Sequence, residues 1–194
     1  MLTVSALVSL DGVQGDPRSW VGDFFDEEAA ARSLEALRTA DAMLMGRRTY
    51  EYFAPVWPQM PGPYADRINE ITKYVFSGTL RDVAWTGAKL VTEDAVTAVR
   101  KMSDQHLVMY GFGRLAHALL DAGLVDVLNL AVHPVVRGDG ESIFHAGPTT
   151  GLELTDVERH DNGVVSLTYA VPHVSGVSTG RETSPGLLVS PTHR

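Results

Sequence analysis

The chain has 194 residues, a formal net charge of −8 and no cysteine. This length fits one domain that can bury a hydrophobic core, and the lack of cysteine excludes a disulfide framework and a thiolate metal site and favours a cytoplasmic location. Lysine and arginine are scattered singly, and no apolar run approaches the roughly 18 residues of a membrane span. We therefore expect neither nucleic acid nor a membrane as a partner.

The first half of the chain alternates between strand-like and helix-like segments, a pattern typical of a layered α/β domain. Asp26 precedes two glutamates and suits the N-cap of a helix, and Pro63 suits the first turn of another helix. In chain order the pattern predicts a strand at 3–10, a helix from 26 to about 40, a strand at 42–45, helices from 47 and from 63, strands at 73–77 and 89–92, and a helix that contains Val96 and Val99.

The second half begins in the same style. A strand at 106–110 leads into a helix that Gly123 stops, and strand signals resume at 127–136. Two further strand-like runs, 152–160 and 164–171, predict an antiparallel hairpin, because the Asn-Gly pair between them tolerates the positive φ angles of a tight turn.

These elements define the expected domain organisation. The antiparallel hairpin closes a sheet that begins with strand-helix alternation, so we expect a mixed, mostly parallel sheet in a domain of residues 1–172. Residues 173–194 contain too few large apolar side chains to pack, which predicts a flexible and dispensable tail.

One short apolar run breaks at Gly46 directly into Arg47, Arg48 and Thr49. The run is typical of a buried strand, and the basic residues open a helix whose free backbone N–H groups favour an anion. This corner therefore indicates a phosphate site. The alternative is that Arg47 only forms a surface ion pair with Glu51, four positions further along the helix.

A second corner of this kind follows Tyr110, where the segment Gly-Phe-Gly-Arg-Leu occupies positions 111–115. It again joins a strand to the start of a helix that carries an arginine. Two such corners in one small domain suggest a ligand with several phosphates. The alternative for the glycine segment alone is a simple tight turn.

Six short segments occur in an order that is far more specific than any one of them. They are Val-Ser-Leu-Asp-Gly at 8–12, Leu-Met-Gly-Arg-Arg-Thr-Tyr-Glu at 44–51, Lys-Tyr-Val-Phe-Ser at 73–77, Tyr-Gly-Phe-Gly-Arg at 110–114, Gly-Leu-Val-Asp at 123–126 and His-Pro-Val-Val-Arg-Gly at 133–138. Over residues 1 to about 172 the chain resembles the dihydrofolate reductase-like superfamily, and within it the RibD C-terminal domain family. The resemblance implies a three-layer α/β/α sandwich that binds NADPH across the carboxyl ends of its strands.

The resemblance also assigns residues to the cofactor. The helix corner and the glycine loop contact its phosphates, the backbone after the first strand hydrogen-bonds the nicotinamide carboxamide, and a serine lies near the adenosine ribose with its 2′-phosphate. The cofactor-binding residues implied in this way are Val13, Gln14, Gly46, Arg47, Arg48, Thr49, Ser77, Gly78, Tyr110, Gly111, Phe112, Gly113, Arg114 and Leu115.

The position after Ser77 departs from the family pattern. Many relatives have an arginine there, whereas this chain has Gly78. Glycine offers no charge to a 2′-phosphate, so NADH is possible beside NADPH, and Arg48 or Arg81 could supply the missing charge. The alternative is that Ser77 and Gly78 simply end a strand.

Asp11 is the candidate catalytic residue, because it stands where the first strand meets the loop expected beside the nicotinamide. It could donate a proton directly or through a water if burial raises its pKa. The alternative is a turn formed with Gly12. Asp26 and Glu27 are the candidate substrate-binding residues, since an acidic side chain of the first helix grips the pterin in dihydrofolate reductases. The seven histidines lack the spacing of metal ligands, so no metal is expected.

The function implied by the resemblance is an NADPH-dependent reductase of a small heterocyclic substrate. The nearest named activity is the 5-amino-6-(5-phosphoribosylamino)uracil reductase of riboflavin biosynthesis. Two alternatives remain, a dihydrofolate reductase and a non-catalytic NADPH-binding module. The late strands, rich in valine and leucine, favour a homodimer. The resemblance favours it too, because the riboflavin-type relatives commonly form dimers.

Overall fold

The computed structural model describes residues 1–144 and 150–172, which contain ten strands and five α-helices. The strands are β1 (Leu2–Ser9), β2 (Val13–Gln14), β3 (Ala42–Gly46), β4 (Thr72–Phe76), β5 (Ala88–Val91), β6 (Leu107–Tyr110), β7 (Val127–His133), β8 (Glu141–Ser142), β9 (Glu153–Arg159) and β10 (Val165–Ala170). The helices are α1 (Glu27–Arg38), α2 (Arg47–Phe53), α3 (Pro63–Glu70), α4 (Ala95–Arg100) and α5 (Arg114–Asp121).

Eight strands form one sheet in the order β5-β4-β3-β6-β1-β7-β10-β9. All neighbours from β5 to β7 are parallel, and β10 is antiparallel to both β7 and β9. The predicted mixed sheet with a C-terminal hairpin is therefore confirmed. The strand order changes direction around β3, β6 and β1, and α/β sheets commonly bind ligands outside the carboxyl ends of strands at such a point.

Consecutive residues of a strand point their side chains to opposite faces of the sheet. Helices cover both of these faces. Leu44 packs with Leu119 of α5 in one hydrophobic cluster, which also includes residues of α4. Met43, its neighbour in β3, packs with Leu37 of α1 and Ile68 of α3 in the other cluster. The predicted three-layer α/β/α sandwich is confirmed by these two cores.

One predicted boundary needs correction. The strand expected at 127–136 ends at His133, because Pro134 has no backbone N–H to continue the ladder. The predicted hairpin is confirmed: residues 161–163 connect its strands, the N–H of His160 donates to the carbonyl of Val164 at 2.9 Å, and Gly163 has a φ of +86°. The short strands β2 and β8, which pair with each other, were not predicted.

The last strand of the sheet leaves an edge relevant to assembly. All seven residues of β9 are exposed, and the apolar side chains of Leu154 and Val157 are each about half accessible. The homodimer stays a prediction, and the tail at 173–194 lies outside the described residues. None of the helices in the described part of the chain is both long enough and apolar enough to cross a membrane.

Lys73 is fully buried at the start of β4. Its Nζ donates hydrogen bonds to the carbonyl oxygens of Asn69 and Ile71, both at 2.8 Å, and of Thr86 at 2.9 Å, and it lies 4.5 Å from the centre of the Trp85 ring. Desolvation, with a smaller contribution from the charge of Arg67, lowers the pKa of Lys73 from 10.5 to about 8. The amine therefore joins the end of α3 and the segment before β5 to β4. Its protonation also depends on pH in the alkaline range.

We expect the free energy of unfolding to rise as the pH increases from about 8 to 10.5. In this window the unfolded chain binds a proton on Lys73 that the folded chain has released, whereas below it both states are protonated. The increase attributable to Lys73 is at most about 3 kcal/mol. Urea denaturation over this pH range should show the rise in the native chain and a smaller one in Lys73→Met; equal pH dependence of the two proteins would contradict it.

Candidate functional site

The two predicted anion corners lie side by side at the carboxyl edge of the sheet. β3 and β6 are neighbouring parallel strands, and each runs through a glycine into a helix. Gly46 is the N-cap of α2 and Gly113 is the N-cap of α5, and neither helix has a side-chain cap, whereas Asp26 caps α1 and Asp94 caps α4. The first N–H groups of α2 and α5 thus remain available to an anion.

The backbone of the glycine loop at the second corner, residues 111–113, lies close to β1. Gly111 has a φ of +83°, which favours glycine, and its N–H donates to the carbonyl of Ser5 in β1 at 2.8 Å. A Cβ at Gly46 would lie 3.9 Å from Cβ of Leu115, whereas a Cβ at Gly113 would meet no atom within 4 Å. The space above Gly113 is therefore open to a ligand.

The loop after β1 is joined to this glycine loop by one side chain. The amide of Gln14 donates to the carbonyl of Phe112 at 2.7 Å and accepts from its N–H at 2.9 Å. The N–H of Val13 donates to Oγ of Ser9 at 3.0 Å, and β2 pairs with β8. Gln14 is thus a bridge between two loops of the site, and a nicotinamide carboxamide at Val13 would have to exchange with the hydroxyl of Ser9.

Arg47 lies nearest to the predicted adenosine end. Its Nε donates to Glu51 at 2.7 Å, so the ion pair considered from the sequence is present. Its Nη1 also donates to Oγ1 of Thr79 at 2.8 Å, and Ser77 Oγ accepts the N–H of Thr79 at 3.1 Å. Arg47 is therefore an arginine that contacts the segment after β4, to which Arg81 itself belongs.

Arg48 points toward the other side of the site. It is 87% exposed and donates to Glu141 of β8 at 3.2 Å, so an anionic ligand would compete with that carboxylate. Thr49, the next residue of α2, is half-buried. Glu141 was not identified from the sequence; the Gly-Asp-Gly turn at 138–140, which returns the chain to this edge, is the signal that could have indicated it.

A cavity of about 600 Å³ runs along one side of α5, from Arg114 to Asp121. This volume lies within the range of about 300–1,000 Å³ typical of small-molecule sites. Arg114 supplies a positive charge to it, and Phe112 lies beneath, buried against the rings of His117 and Phe144. The cavity is lined by Arg114, His117, Ala118, Asp121, Glu141, Ser142 and Phe144.

Asp11 is held as a carboxylate. It accepts hydrogen bonds from Oγ of Ser9 at 2.6 Å and from the N–H groups of Arg137 at 3.1 Å and Gly138 at 2.8 Å. These bonds lower the pKa of Asp11 to about 2, the hydroxyl of Ser9 contributing most. The rise in pKa on which the proposed proton-donor role depended is therefore not found, and Asp11 instead fixes the loop after β1 to the segment after β7.

The candidate substrate residues lie at the start of α1. Asp26 caps the helix through the N–H of Ala29 at 2.8 Å and accepts from Nδ2 of Asn162 at 2.9 Å. These bonds lower the pKa of Asp26, with the N–H of Ala29 as the largest cause. Glu27 is exposed beside it. Asp26 is thus already engaged in joining the start of α1 to the hairpin.

Tyr110 ends β6, but its side chain turns away from the glycine loop. The ring packs against the second hydrophobic cluster, with its centroid 6.4 Å from that of Phe53. Burial raises the pKa of the Tyr110 hydroxyl well above its ordinary value. Of Tyr110, only the backbone is therefore placed to contribute to the predicted cofactor site.

Residues 1–166 match the family model described as the RibD C-terminal domain. The chain belongs to the RibD C-terminal domain family. Members of this family are reductases with the dihydrofolate reductase-like fold, in agreement with the architecture described above. The family assignment therefore confirms the resemblance seen in the six ordered segments.

Curated relatives and solved structures extend this finding. The chain is 25% identical over 142 residues to the uncharacterized protein YyaP of Bacillus subtilis (strain 168). This alignment covers 69% of the chain and 75% of YyaP. A pyrimidine reductase-like protein from Corynebacterium diphtheriae has the same fold, with a TM-score of 0.64, 16% identity and coverage of 88% of this chain and 91% of that one.

A second solved structure is a two-activity protein. The diaminohydroxyphosphoribosylaminopyrimidine deaminase/5-amino-6-(5-phosphoribosylamino)uracil reductase of Thermotoga maritima matches with a TM-score of 0.61 and 15% identity. The match covers 89% of this chain and 56% of the Thermotoga chain. At this level of identity both structures establish the fold of the RibD C-terminal domain and no more.

Proposed function

We propose that this RibD C-terminal domain is an NADPH-dependent reductase of a small heterocyclic substrate. The observation that carries the proposal is the pair of glycine-capped helices, α2 and α5, which begin side by side at the carboxyl ends of β3 and β6. Each corner offers backbone N–H groups and an arginine, and a dinucleotide is a ligand with phosphates to match both.

The placement of Arg47 supports a 2′-phosphate at the adenosine end. Its guanidinium is already oriented by Glu51 and Thr79 next to Ser77, so a phosphate there would meet a preformed donor. Arg114 and the open space above Gly113 support the pyrophosphate. The nicotinamide then belongs beside the loop that Gln14 and Asp11 hold in place.

For hydride transfer the protein mainly has to orient the nicotinamide toward the substrate and exclude water. Asp11, with its lowered pKa, would contribute by fixing the loop beside the nicotinamide, and the proton would come from another group or from water. The heterocyclic substrate class rests on the family and on the reductase activity named for the Thermotoga relative. The nearest named substrate is accordingly a phosphoribosylamino-pyrimidine.

The test has two stages. Calorimetric titration with NADPH and NADH measures binding first, and loss of NADPH absorbance with a panel of phosphoribosylamino-pyrimidines, plain pyrimidines and dihydrofolate then measures turnover. Oxidation with a pyrimidine supports the proposal. Turnover with dihydrofolate alone would identify a dihydrofolate reductase, binding without any turnover would identify a nucleotide-binding module, and no dinucleotide binding would refute the proposal altogether.

Gly78→Arg should widen the preference for NADPH over NADH by about ten-fold, the typical value of one charge-assisted contact. Gly78 is exposed, and a Cβ there meets no atom within 4 Å, so the arginine fits without strain. Gly78→Gln, of similar length but without charge, is the matched control and should leave the ratio unchanged. An unaltered ratio of the NADPH and NADH affinities in Gly78→Arg would show that the adenosine end of the cofactor does not lie at this segment.

A further inference from the structure

The hairpin turn and the start of α1 bring together three side chains that the cofactor site does not use. They are Glu28 in the first turn of α1, Glu158 in β9 and His160 directly after β9. One ligand atom of each lies within 4.8 Å of the other two. Glu158 and His160 are two residues apart in extended chain and so share a face of the strand, while Glu28 comes from the far end of the sequence.

His160 supplies the observation that points to a ligand. Its side chain is only 2% exposed, and its Nε2 lies 2.7 Å from Oγ of Ser166. Its Nδ1 is buried without a hydrogen-bond partner and faces Oε1 of Glu158 at 3.9 Å, which is too long for a hydrogen bond. With Nε2–H donating to Ser166, Nδ1 carries the lone pair that a metal ion accepts.

We propose that Glu28, Glu158 and His160 form a binding site for one divalent transition metal ion of the Zn²⁺ type. Imidazole and carboxylate are ligands that Zn²⁺ accepts, with metal–ligand distances of about 2.0–2.2 Å and therefore ligand atoms about 3.3 Å apart. The two glutamate side chains are 62% and 52% exposed and can move the remaining distance toward the fixed imidazole. Water completes the coordination.

Charge around the site is compatible with a cation. Two carboxylates balance the ion, and Arg32 brings an opposing charge, its Nη1 lying 2.8 Å from Oε1 of Glu28. A carboxylate has two oxygens and can keep Arg32 while binding a metal with the other. The pattern of histidines in the sequence did not indicate this site, because its third ligand is more than 100 positions away from the Glu-x-His pair.

Metal binding here would tie α1 to the hairpin. The same two elements are already joined by Asn162, which donates to Asp26 at 2.9 Å and to the carbonyl of Phe24 at 3.0 Å. The ion therefore adds a second link at the start of α1, the segment that carries Asp26 and Glu27. Its role is to position this edge of the cleft, and it does not depend on which substrate the cleft accepts.

The test is a titration of the chelator-treated full chain with ZnCl₂ in competition with a chromogenic chelator. The native chain should bind one Zn²⁺ that Glu158→Gln weakens by at least about 100-fold, because even residues outside the ligand set are worth about 10- to 100-fold. Glu153→Gln removes an exposed carboxylate of the same strand that is outside the cluster and should bind as the native chain does.

His160→Gln gives the second comparison, since glutamine can keep the bond to Ser166 while losing the Nδ1 ligand. Zn²⁺ should raise the melting temperature of the native chain and of Glu153→Gln, and not that of His160→Gln or Glu158→Gln. Glu158 is exposed, so its variant answers the question even if His160→Gln folds poorly. No bound Zn²⁺, or equal affinity in Glu158→Gln and the native chain, would overturn the proposal.

Discussion

Replacing Gly113 with valine should abolish NADPH binding and leave the fold intact. Gly113 caps α5 with a φ of −91°, which any residue adopts, and a Cβ there meets no atom within 4 Å. The added side chain therefore costs the free protein little and occupies the space that the pyrophosphate needs. We expect the dissociation constant for NADPH to rise at least about 100-fold, which corresponds to about 2.8 kcal/mol.

Titration calorimetry measures this effect, and the melting temperature without cofactor reports on the fold. Gly151→Val is the matched control, because Gly151, like Gly113, lacks a positive φ and has no atom within 4 Å of an added Cβ. It lies before β9, whose start is at the opposite edge of the sheet. Native affinity in Gly113→Val would show that the glycine loop does not hold the cofactor.

The second large effect is expected from Arg47. Arg47→Ala should weaken NADPH by about ten-fold or more and leave NADH unchanged, because its guanidinium lies beside Thr79 and Ser77, where only NADPH has a 2′-phosphate. Arg48→Ala should weaken both dinucleotides to a similar degree, since Arg48 lies toward β8 and contacts Glu141. The two arginines are neighbours in the sequence and should differ in which phosphate they serve.

Two further variants complete this comparison. Glu51→Gln removes the ion pair of Arg47 without removing the arginine, so it should preserve or strengthen NADPH binding. Arg38→Ala removes another exposed arginine that is paired within its own helix, and it should change neither affinity. A loss of NADPH binding in Glu51→Gln equal to that in Arg47→Ala would indicate that the ion pair, and not the phosphate contact, supports the site.

Local sequence signals determined the elements of this protein. The apolar runs that form β3 and β6, the aspartate cap of α1 and the Asn-Gly hairpin act over a few residues, so they can be identified without the fold. The order of the strand-glycine-helix corners was specific enough to indicate the family, which the match over residues 1–166 confirms. Strand pairing then brought both corners to one edge, as parallel topology requires.

The tertiary structure decided which partner each polar side chain has. Asp11 was a candidate acid from its position, but its pKa depends on the N–H groups of Arg137 and Gly138, which are distant in sequence. Gln14 joins two loops through Phe112 in the same way, and Arg47 reaches Thr79. Hydrogen bonds form wherever folding places a donor next to an acceptor, so contacts between residues this far apart leave no periodic trace in the sequence.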